Sequence, residues 1–120
     1  MASIIAIIDD DDAVRESTGG LLRSLGYEVR TYPSAEDFLS SGTVGHVSCI
    51  ITDVRMPGMS GVALQSRLID EGRQVPIIFI TAFPEERIKE QALAAGARGF
   101  LIKPCQEQNL IKCIETALAA

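Results

Sequence analysis

Short apolar runs alternate with longer amphipathic stretches from one end of this sequence to the other. Each apolar run predicts a strand, and the stretch that follows it has apolar residues at helical spacing. Strands that alternate with helices form a parallel sheet, because each helix returns the chain to the end of the sheet where the previous strand began. The predicted strands are residues 4–8, 28–32, 47–52, 75–80 and 99–102.

Helix signals mark the ends of the amphipathic stretches. Gly26, Gly42 and Gly72 each follow such a stretch, and a glycine ends a helix without steric penalty. Pro84 is predicted to lie in the first turn of the fourth helix, a position that tolerates proline. The predicted helices are approximately residues 12–25, 35–42, 60–71, 84–95 and 106–119.

Five consecutive β/α units predict an α/β fold, a flavodoxin-like three-layer sandwich of the (βα)5 type. The length of 120 residues suits a single domain over residues 1–120. Crossovers in parallel sheets are right-handed, and the simplest strand order that brings the first, third and fourth strand ends together is 2-1-3-4-5.

Composition excludes several function classes. The net charge of −5 argues against direct nucleic-acid binding by this domain, because such affinity comes from clustered Lys and Arg. No apolar run approaches the roughly 20 residues of a membrane span, so we expect a cytoplasmic protein with no membrane partner. Cys49, Cys105 and Cys113 are odd in number and form no CxxC pair. They are predicted to be free thiols in a reducing compartment.

Polar side chains follow four of the predicted strands. Asp9 and Asp10 come after the first strand, Asp53 after the third, Thr81 after the fourth and Lys103 after the fifth. The carboxyl ends of parallel strands meet at one edge of a sheet, where open α/β sheets bind their ligands. We therefore expect these five side chains to form one site.

The residue types at this edge indicate phosphoryl chemistry. Two carboxylates about 4 Å apart repel by roughly 4 kcal/mol at an effective dielectric constant near 20, so the cluster must take up a proton or bind a cation. Oxygen ligands without histidine or thiolate favour Mg²⁺ or Mn²⁺ over zinc. Lys103 supplies a positive charge, Thr81 a hydroxyl and Asp53 a nucleophile that can carry a phosphoryl group. The sequence predicts a metal-assisted phosphoryl acceptor.

Four motifs, IIDDDDAVR, TDVRMPGMSG, FITAF and ARGFLIKP, occur in this order along the chain. In order and spacing they closely resemble the receiver domain of two-component response regulators, and the resemblance covers residues 3–119. It implies that a sensor histidine kinase phosphorylates Asp53 from its phosphohistidine. It also implies that Asp10 binds Mg²⁺ directly and Asp9 through water, with Asp53 and the backbone carbonyl of Arg55 as further ligands.

The resemblance implies roles for four other residues. The Thr81 hydroxyl and the Ala82 amide would bind phosphoryl oxygens, and Lys103 would pair with the phosphoryl group. Phe100 takes the place of the switch aromatic residue. The expected result of phosphorylation is a change in the surface formed by the fourth helix, the fifth strand and the fifth helix.

The resemblance also implies partners. The motifs are similar to those of receivers joined to a helix-turn-helix domain, which suggests a C-terminal DNA-binding output domain outside this chain and control of transcription. Homodimerisation through the phosphorylation-dependent surface is a further hypothesis. Such a domain accepts phosphate and can lose it again, but it is not a turnover enzyme.

Two alternatives come from other classes of protein. Asp9 and Asp11 lie two residues apart after a first strand, where haloacid dehalogenase phosphatases place their nucleophile and their acid/base residue. That family's later acidic metal ligands are missing, and 120 residues leave no room for a cap domain. The second alternative is a receiver-like interaction domain that works without phosphorylation. Asp11 and Asp12 are predicted either to cap the first helix or to assist metal binding.

Overall fold

The computed structural model describes residues 3–119, which form a five-stranded parallel sheet with helices on both faces. The sheet order is β2-β1-β3-β4-β5, which confirms the predicted flavodoxin-like α/β fold. The strands are β1 (Ile4–Ile8), β2 (Glu28–Tyr32), β3 (Cys49–Asp53), β4 (Ile77–Thr81) and β5 (Gly99–Ile102). The helices are α1 (Asp12–Ser24), α2 (Ala35–Ser40), α3 (Gly61–Asp70), α4 (Glu86–Ala94) and α5 (Glu107–Ala119), with a 3₁₀ turn at Val44–His46.

Two apolar layers lie on the opposite faces of the sheet, because successive side chains of a strand point to opposite sides. One layer joins Ile8 and Ile50 of the strands to α2, α3 and α4. The other joins Ile7 and Ile51 to α1 and α5. The strands β3 and β4 are therefore buried on both faces, which explains why their sequences are apolar until the polar residues at their carboxyl-terminal ends.

The predicted bounds of β3 and β4 were wrong by one or two residues. Residues 47–48 and 75–76 precede the observed strands, and each strand extends one residue further, to Asp53 and Thr81. Pro76 has no amide hydrogen to donate to the sheet, although its carbonyl accepts from the Ile50 amide at 2.9 Å. The backbones of Asp53 and Thr81, both predicted site residues, are thus held within the sheet.

The predicted position of Pro84 was also wrong. Helix α4 begins at Glu86, and Glu85 is its N-cap with an extended backbone, so Pro84 lies before the helix. The Glu85 side chain makes no capping hydrogen bond; it forms an ion pair with Arg55 instead. The ion pair of Glu85 with Arg55, in a distant loop, thus competes with the local sequence signals for the start of the helix.

Asp11 caps α1, as one of the two sequence alternatives predicted. Its carboxylate accepts from the amides of Ala13 at 2.9 Å and Val14 at 3.3 Å. The adjacent glycines of this helix differ in environment: Gly19 is buried against β2, whereas Gly20 is exposed and a β-carbon there would meet no other atom within 4 Å.

Gly61, the first residue of α3, is packed directly against the backbone of β3. A β-carbon at this position would lie 2.2 Å from the Asp53 carbonyl oxygen and 3.1 Å from the Phe79 ring. We expect Gly61→Ala to lower the free energy of unfolding by about 2 kcal/mol, because the backbone at the site must shift. Urea denaturation measures this change.

Gly20→Ala is the matched control for that substitution. It should raise the free energy of unfolding by about 0.5–1 kcal/mol, because alanine favours the helix and has room at this exposed position. Equal stability of Gly61→Ala and the unmodified chain would show that the close approach at Asp53 is not a constraint.

The three cysteines are free thiols, as predicted. Cys49 is fully buried in β3, and burial raises its pKa to about 12. Cys105 and Cys113 are half-buried and pack against the same apolar layer. Among the helices of residues 3–119, none is long and apolar enough to cross a membrane.

Candidate functional site

The carboxyl-terminal ends of four strands bring the predicted site residues to one edge of the sheet. Asp9 directly follows β1, Asp53 ends β3, Thr81 ends β4 and Lys103 directly follows β5. Asp9, Asp53 and Thr81 are only 3%, 8% and 1% exposed. Buried polar groups need partners, so the hydrogen bonds of this edge decide what it can do.

Three carboxylates form the centre of the site. Carboxylate oxygens of Asp9, Asp10 and Asp53 all lie within 4.8 Å of one another, with Asp10 exposed and the other two buried. This is an all-oxygen donor set with no thiolate or imidazole, which suits Mg²⁺ and Mn²⁺. The residues therefore fit the metal that the sequence predicted.

Lys103 bridges two of these carboxylates. Its Nζ donates to Asp9 Oδ2 at 2.7 Å and to Asp53 Oδ2 at 2.9 Å, and its side chain is 17% exposed. Burial alone would lower the pKa of Lys103, but its two carboxylate partners outweigh burial, so the pKa is raised. The amine is therefore a fixed positive charge at neutral pH.

The pKa of Asp9 is raised, mainly because its carboxyl is buried. Burial raises this pKa, and the hydrogen bond from Lys103 and the Asp11 amide offset the effect only in part. The nearby Asp53 carboxylate raises it further. The cluster has three carboxylates, and the ammonium group of Lys103 contacts two of them, so a further cation would be stabilising.

Backbone amides orient the two buried carboxylates. Asp9 Oδ1 accepts from the Asp11 amide at 2.9 Å, and Asp53 Oδ1 accepts from the Arg55 amide at 3.2 Å. Each carboxylate thus has one oxygen on a backbone amide and the other on Lys103. Asp53 is held in a defined orientation at the end of its strand.

Thr81 and its neighbours lie on the adjacent strand. The Thr81 hydroxyl oxygen accepts from the Phe83 amide at 3.1 Å, and Ala82 is exposed beside it. Phe100 of β5 is half-buried, and its ring centroid lies 6.2 Å from that of Phe79. Phe100 thus packs in the layer that contains α4.

Two of the predicted acidic residues stay outside the carboxylate cluster. Asp11 caps α1, and Asp12 forms an ion pair with Arg15. A phosphatase of the haloacid dehalogenase type would need Asp11 as its acid/base residue. The capping role of Asp11 does not support that alternative.

Sequence reasoning missed several residues that hold the site loops. Arg15 donates to the Asp9 carbonyl, and its spacing of three residues from Asp12 on α1 is a signal that could have found that pair. Glu36 of α2 accepts from the Met59 amide at 3.0 Å, and the Arg55–Glu85 ion pair joins two loops. No sequence signal predicts those contacts, because they join residues far apart in the chain.

Comparisons with known proteins agree on one family. The sequence model described as "Response regulator receiver domain" matches residues 5–115. The chain is 44% identical over 118 residues to the response regulator protein TmoT of Ectopseudomonas mendocina, covering 97% of this chain and 53% of that protein. It is 40% identical over 114 residues to the transcriptional regulatory protein FixJ of Azorhizobium caulinodans, covering 95% of this chain and 54% of that protein.

Solved structures give the same result. The response regulator StyR is similar with a TM-score of 0.92 and 41% identity, over 99% of this chain and 60% of that one. The structure of FixJ-N has a TM-score of 0.88 and 35% identity, over 99% of this chain and 95% of that one. The chain spans about half the length of the curated relatives it matches. These matches give no support to the haloacid dehalogenase alternative.

Proposed function

Because the chain belongs to the response regulator receiver domain family, we propose that Asp53 accepts a phosphoryl group from the phosphohistidine of a sensor histidine kinase. The observation that carries this proposal is the orientation of Asp53. Its carboxylate is at the end of β3, held by the Arg55 amide and Lys103 beside two further carboxylates. A carboxylate oriented in this way is a suitable nucleophile for an in-line displacement.

The transfer itself needs only one bond to form and one to break. An oxygen of Asp53 forms a bond to phosphorus while the phosphorus–nitrogen bond of the kinase phosphohistidine breaks, and the bonding electron pair leaves with the imidazole. Lys103, already within hydrogen-bonding distance of Asp53, stabilises negative charge on the phosphoryl oxygens. The product is an aspartyl phosphate, a signalling state rather than a step of a turnover cycle.

A divalent cation completes the charge balance of the site. Asp10, Asp9 and Asp53 with the backbone carbonyl of Arg55 would hold Mg²⁺ or Mn²⁺, and receiver domains generally bind Mg²⁺ through such acidic residues. The ion supplies neutralisation of the charge on the transferring phosphoryl group. The geometry supports this assignment, since three carboxylates cluster and the ammonium group of Lys103 contacts only two of them.

The signal leaves the site through the neighbouring strands. The Thr81 hydroxyl and the Ala82 amide bind phosphoryl oxygens of phosphorylated Asp53, and Phe100 moves into the space that Thr81 leaves. This movement shifts the equilibrium between two conformations of the surface formed by α4, β5 and α5. For a nearly complete switch, phosphorylation must stabilise one conformation by about 5.5 kcal/mol relative to the other.

The output is control of transcription through a domain outside this chain. Relatives are named as response regulator and transcriptional regulatory proteins, and the chain spans about half of their length. We infer a C-terminal DNA-binding partner domain and dimerisation through the α4-β5-α5 surface after phosphorylation. A transcriptional role in bacteria also implies a cytoplasmic location.

Phosphorylation by a small acyl phosphate such as acetyl phosphate tests the metal assignment. The unmodified chain should incorporate phosphoryl groups with Mg²⁺ and lose this activity when EDTA removes the metal. Asp10→Asn should raise the Mg²⁺ concentration for half-maximal incorporation by roughly 10- to 100-fold, because it removes a negatively charged ligand. Incorporation is followed by intact-protein mass spectrometry over a Mg²⁺ titration.

Asp11→Asn is the control for this titration. Asparagine retains the capping oxygen of α1, and Asp11 lies outside the carboxylate cluster, so its Mg²⁺ dependence should be unchanged. An unchanged Mg²⁺ dependence of Asp10→Asn would exclude Asp10 as a ligand. Incorporation that survives EDTA would exclude the metal-dependent mechanism.

A further inference from the structure

A cavity opens at the edge of the sheet opposite to Asp53. It lies where β4 begins and where α3 and α4 end, and its volume is about 380 Å³. This volume lies near the lower end of the range of about 300–1,000 Å³ for ligand pockets in proteins. The cavity is about 13 Å from Thr81, since the strand rises by about 3.3 Å at each of the four steps from Ile77 to Thr81.

Half of the residues that line the cavity are apolar. The walls come from residues at the end of α3, at the start of β4 and after α4, and no acidic residue lines the cavity. An apolar ligand body would bury itself against these side chains and gain hydrophobic stabilisation. The apolar lining residues are Leu68, Ile69, Val75, Pro76, Ile77 and Ala95.

Gln65 is a buried polar side chain in the lining. It is 3% exposed, and its Nε2 donates to the Ala92 carbonyl at 3.0 Å, which fixes the orientation of the amide. Its Oε1 has no hydrogen-bond partner among residues 3–119, and every fully buried side-chain polar atom of those residues does have one. Because Gln65 lines the cavity, this oxygen is open to it and can accept a hydrogen bond from an occupant.

Two arginines give the cavity a positive charge. The Arg98 amide donates to the Ile77 carbonyl at 2.8 Å, and its guanidinium forms no ion pair with a described residue. Arg73 also lines the cavity, but its Nε is 3.4 Å from Glu71 Oε1, so its charge is partly compensated. The uncompensated charge is thus close to that of one guanidinium, which matches a single carboxylate in a bidentate pair.

We propose that this cavity binds a small organic carboxylate that carries an apolar body and one N–H or O–H donor. The carboxylate pairs with Arg98, the apolar body packs on the walls, and the donor binds Gln65 Oε1. A dianion such as a phosphate ester fits less well, because Arg73 is shared with Glu71 and half of the lining residues are apolar. This site is separate from the proposed phosphoacceptor and does not depend on its function.

N-acetyl-leucine is a suitable probe, since it combines an amide N–H, an isobutyl group and a carboxylate. Titration into the ¹⁵N-labelled chain should give saturable amide shifts at the cavity, centred on Ile69, Gly72 and Gly96. The expected dissociation constant is on the order of 1 mM, the affinity of a ligand with about a dozen non-hydrogen atoms. Arg98→Ala should weaken binding by about fivefold or more.

Two controls separate this site from weak surface binding. Arg87→Ala removes an exposed arginine of α4 that does not line the cavity, so binding should be unchanged. N-acetyl-leucinamide lacks the carboxylate and should bind about fivefold more weakly or worse. The proposal would be overturned if binding did not saturate by about 20 mM, or if the shifts lay outside the cavity. It would also be overturned if Arg98→Ala bound the probe, or the unmodified chain bound the uncharged amide, with unchanged affinity.

Discussion

Asp53→Asn is expected to reduce phosphoryl incorporation from acetyl phosphate by a factor on the order of 10³ or more. The amide is nearly isosteric with the carboxylate but is a much weaker nucleophile. In the fold, Asp53 is the acidic residue that ends a central strand with one oxygen on a backbone amide and the other on Lys103. The measurement is the initial rate of incorporation at saturating Mg²⁺, followed by intact-protein mass spectrometry.

Asp12→Asn is the matched control for this substitution. Asp12 is an exposed acid of the same edge, paired with Arg15 and outside the carboxylate cluster, so its removal changes the net charge equally. Its rate should stay within about twofold of the unmodified chain. Incorporation by Asp53→Asn at the unmodified rate would show that the acceptor is another residue. No incorporation by the unmodified chain would favour the phosphorylation-independent interaction domain.

The fold could be predicted almost completely from the sequence, because apolar runs and helix signals agree along the chain. β1, β2 and β5 have the predicted bounds, since the Asp9–Asp12 run and Gly26 and the Lys103-Pro104 pair mark their limits. The predicted bounds of β3 and β4 were displaced along the sequence because both faces of these strands are buried. An apolar run alone then gives no signal for where pairing starts.

The site could be predicted as a set of residues but not as a set of contacts. Parallel strand ends must converge, so Asp9, Asp53, Thr81 and Lys103 were expected to be neighbours. The two hydrogen bonds of Lys103 and the lack of space for a β-carbon at Gly61 depend on packing between distant segments. The same is true of Pro84, which the Arg55–Glu85 contact leaves outside α4.

The position of Lys103 has a consequence for metal binding. Its ammonium group contacts Asp9 Oδ2 and Asp53 Oδ2, two carboxylates that are proposed to hold the divalent cation. Ammonium and metal therefore compete for part of the same negative charge. Removal of the ammonium should strengthen Mg²⁺ binding while it weakens the metal-free domain.

Lys103→Met should lower the free energy of unfolding of the metal-free chain by about 2 kcal/mol at pH 7. The methionine keeps the apolar stem of the side chain, but Asp9 and Asp53 then face each other without a counter-charge. The expected loss is less than for a fully buried pair, because water reaches part of the site. Lys112→Met on the exposed side of α5 is the control, with an expected change within about 0.5 kcal/mol.

The pH dependence of this loss distinguishes a charge effect from a packing effect. The pKa of Asp9 is raised in the folded chain, and removal of Lys103 must raise it further. A carboxyl whose pKa is higher in the folded state binds a proton more tightly there, so protonation stabilises the fold as pH falls through that pKa. The difference between Lys103→Met and the unmodified chain should therefore shrink from pH 7 toward pH 4. It should also shrink at high pH, as the pH rises past the ordinary value of 10.5 and through the raised pKa of Lys103, because the ammonium then loses its proton.

Mg²⁺ gives the last test of the competition. Added Mg²⁺ should stabilise Lys103→Met more than the unmodified chain, because the cation replaces the missing charge on the same carboxylates. We expect the dissociation constant for Mg²⁺ to fall by about threefold or more, measured by the shift of urea midpoints over a Mg²⁺ series. Weaker Mg²⁺ binding by Lys103→Met would instead mean that Lys103 positions the ligands. A destabilisation of Lys103→Met that does not change with pH would mean that methionine disturbs the packing around this position, and not that the missing charge is the cause.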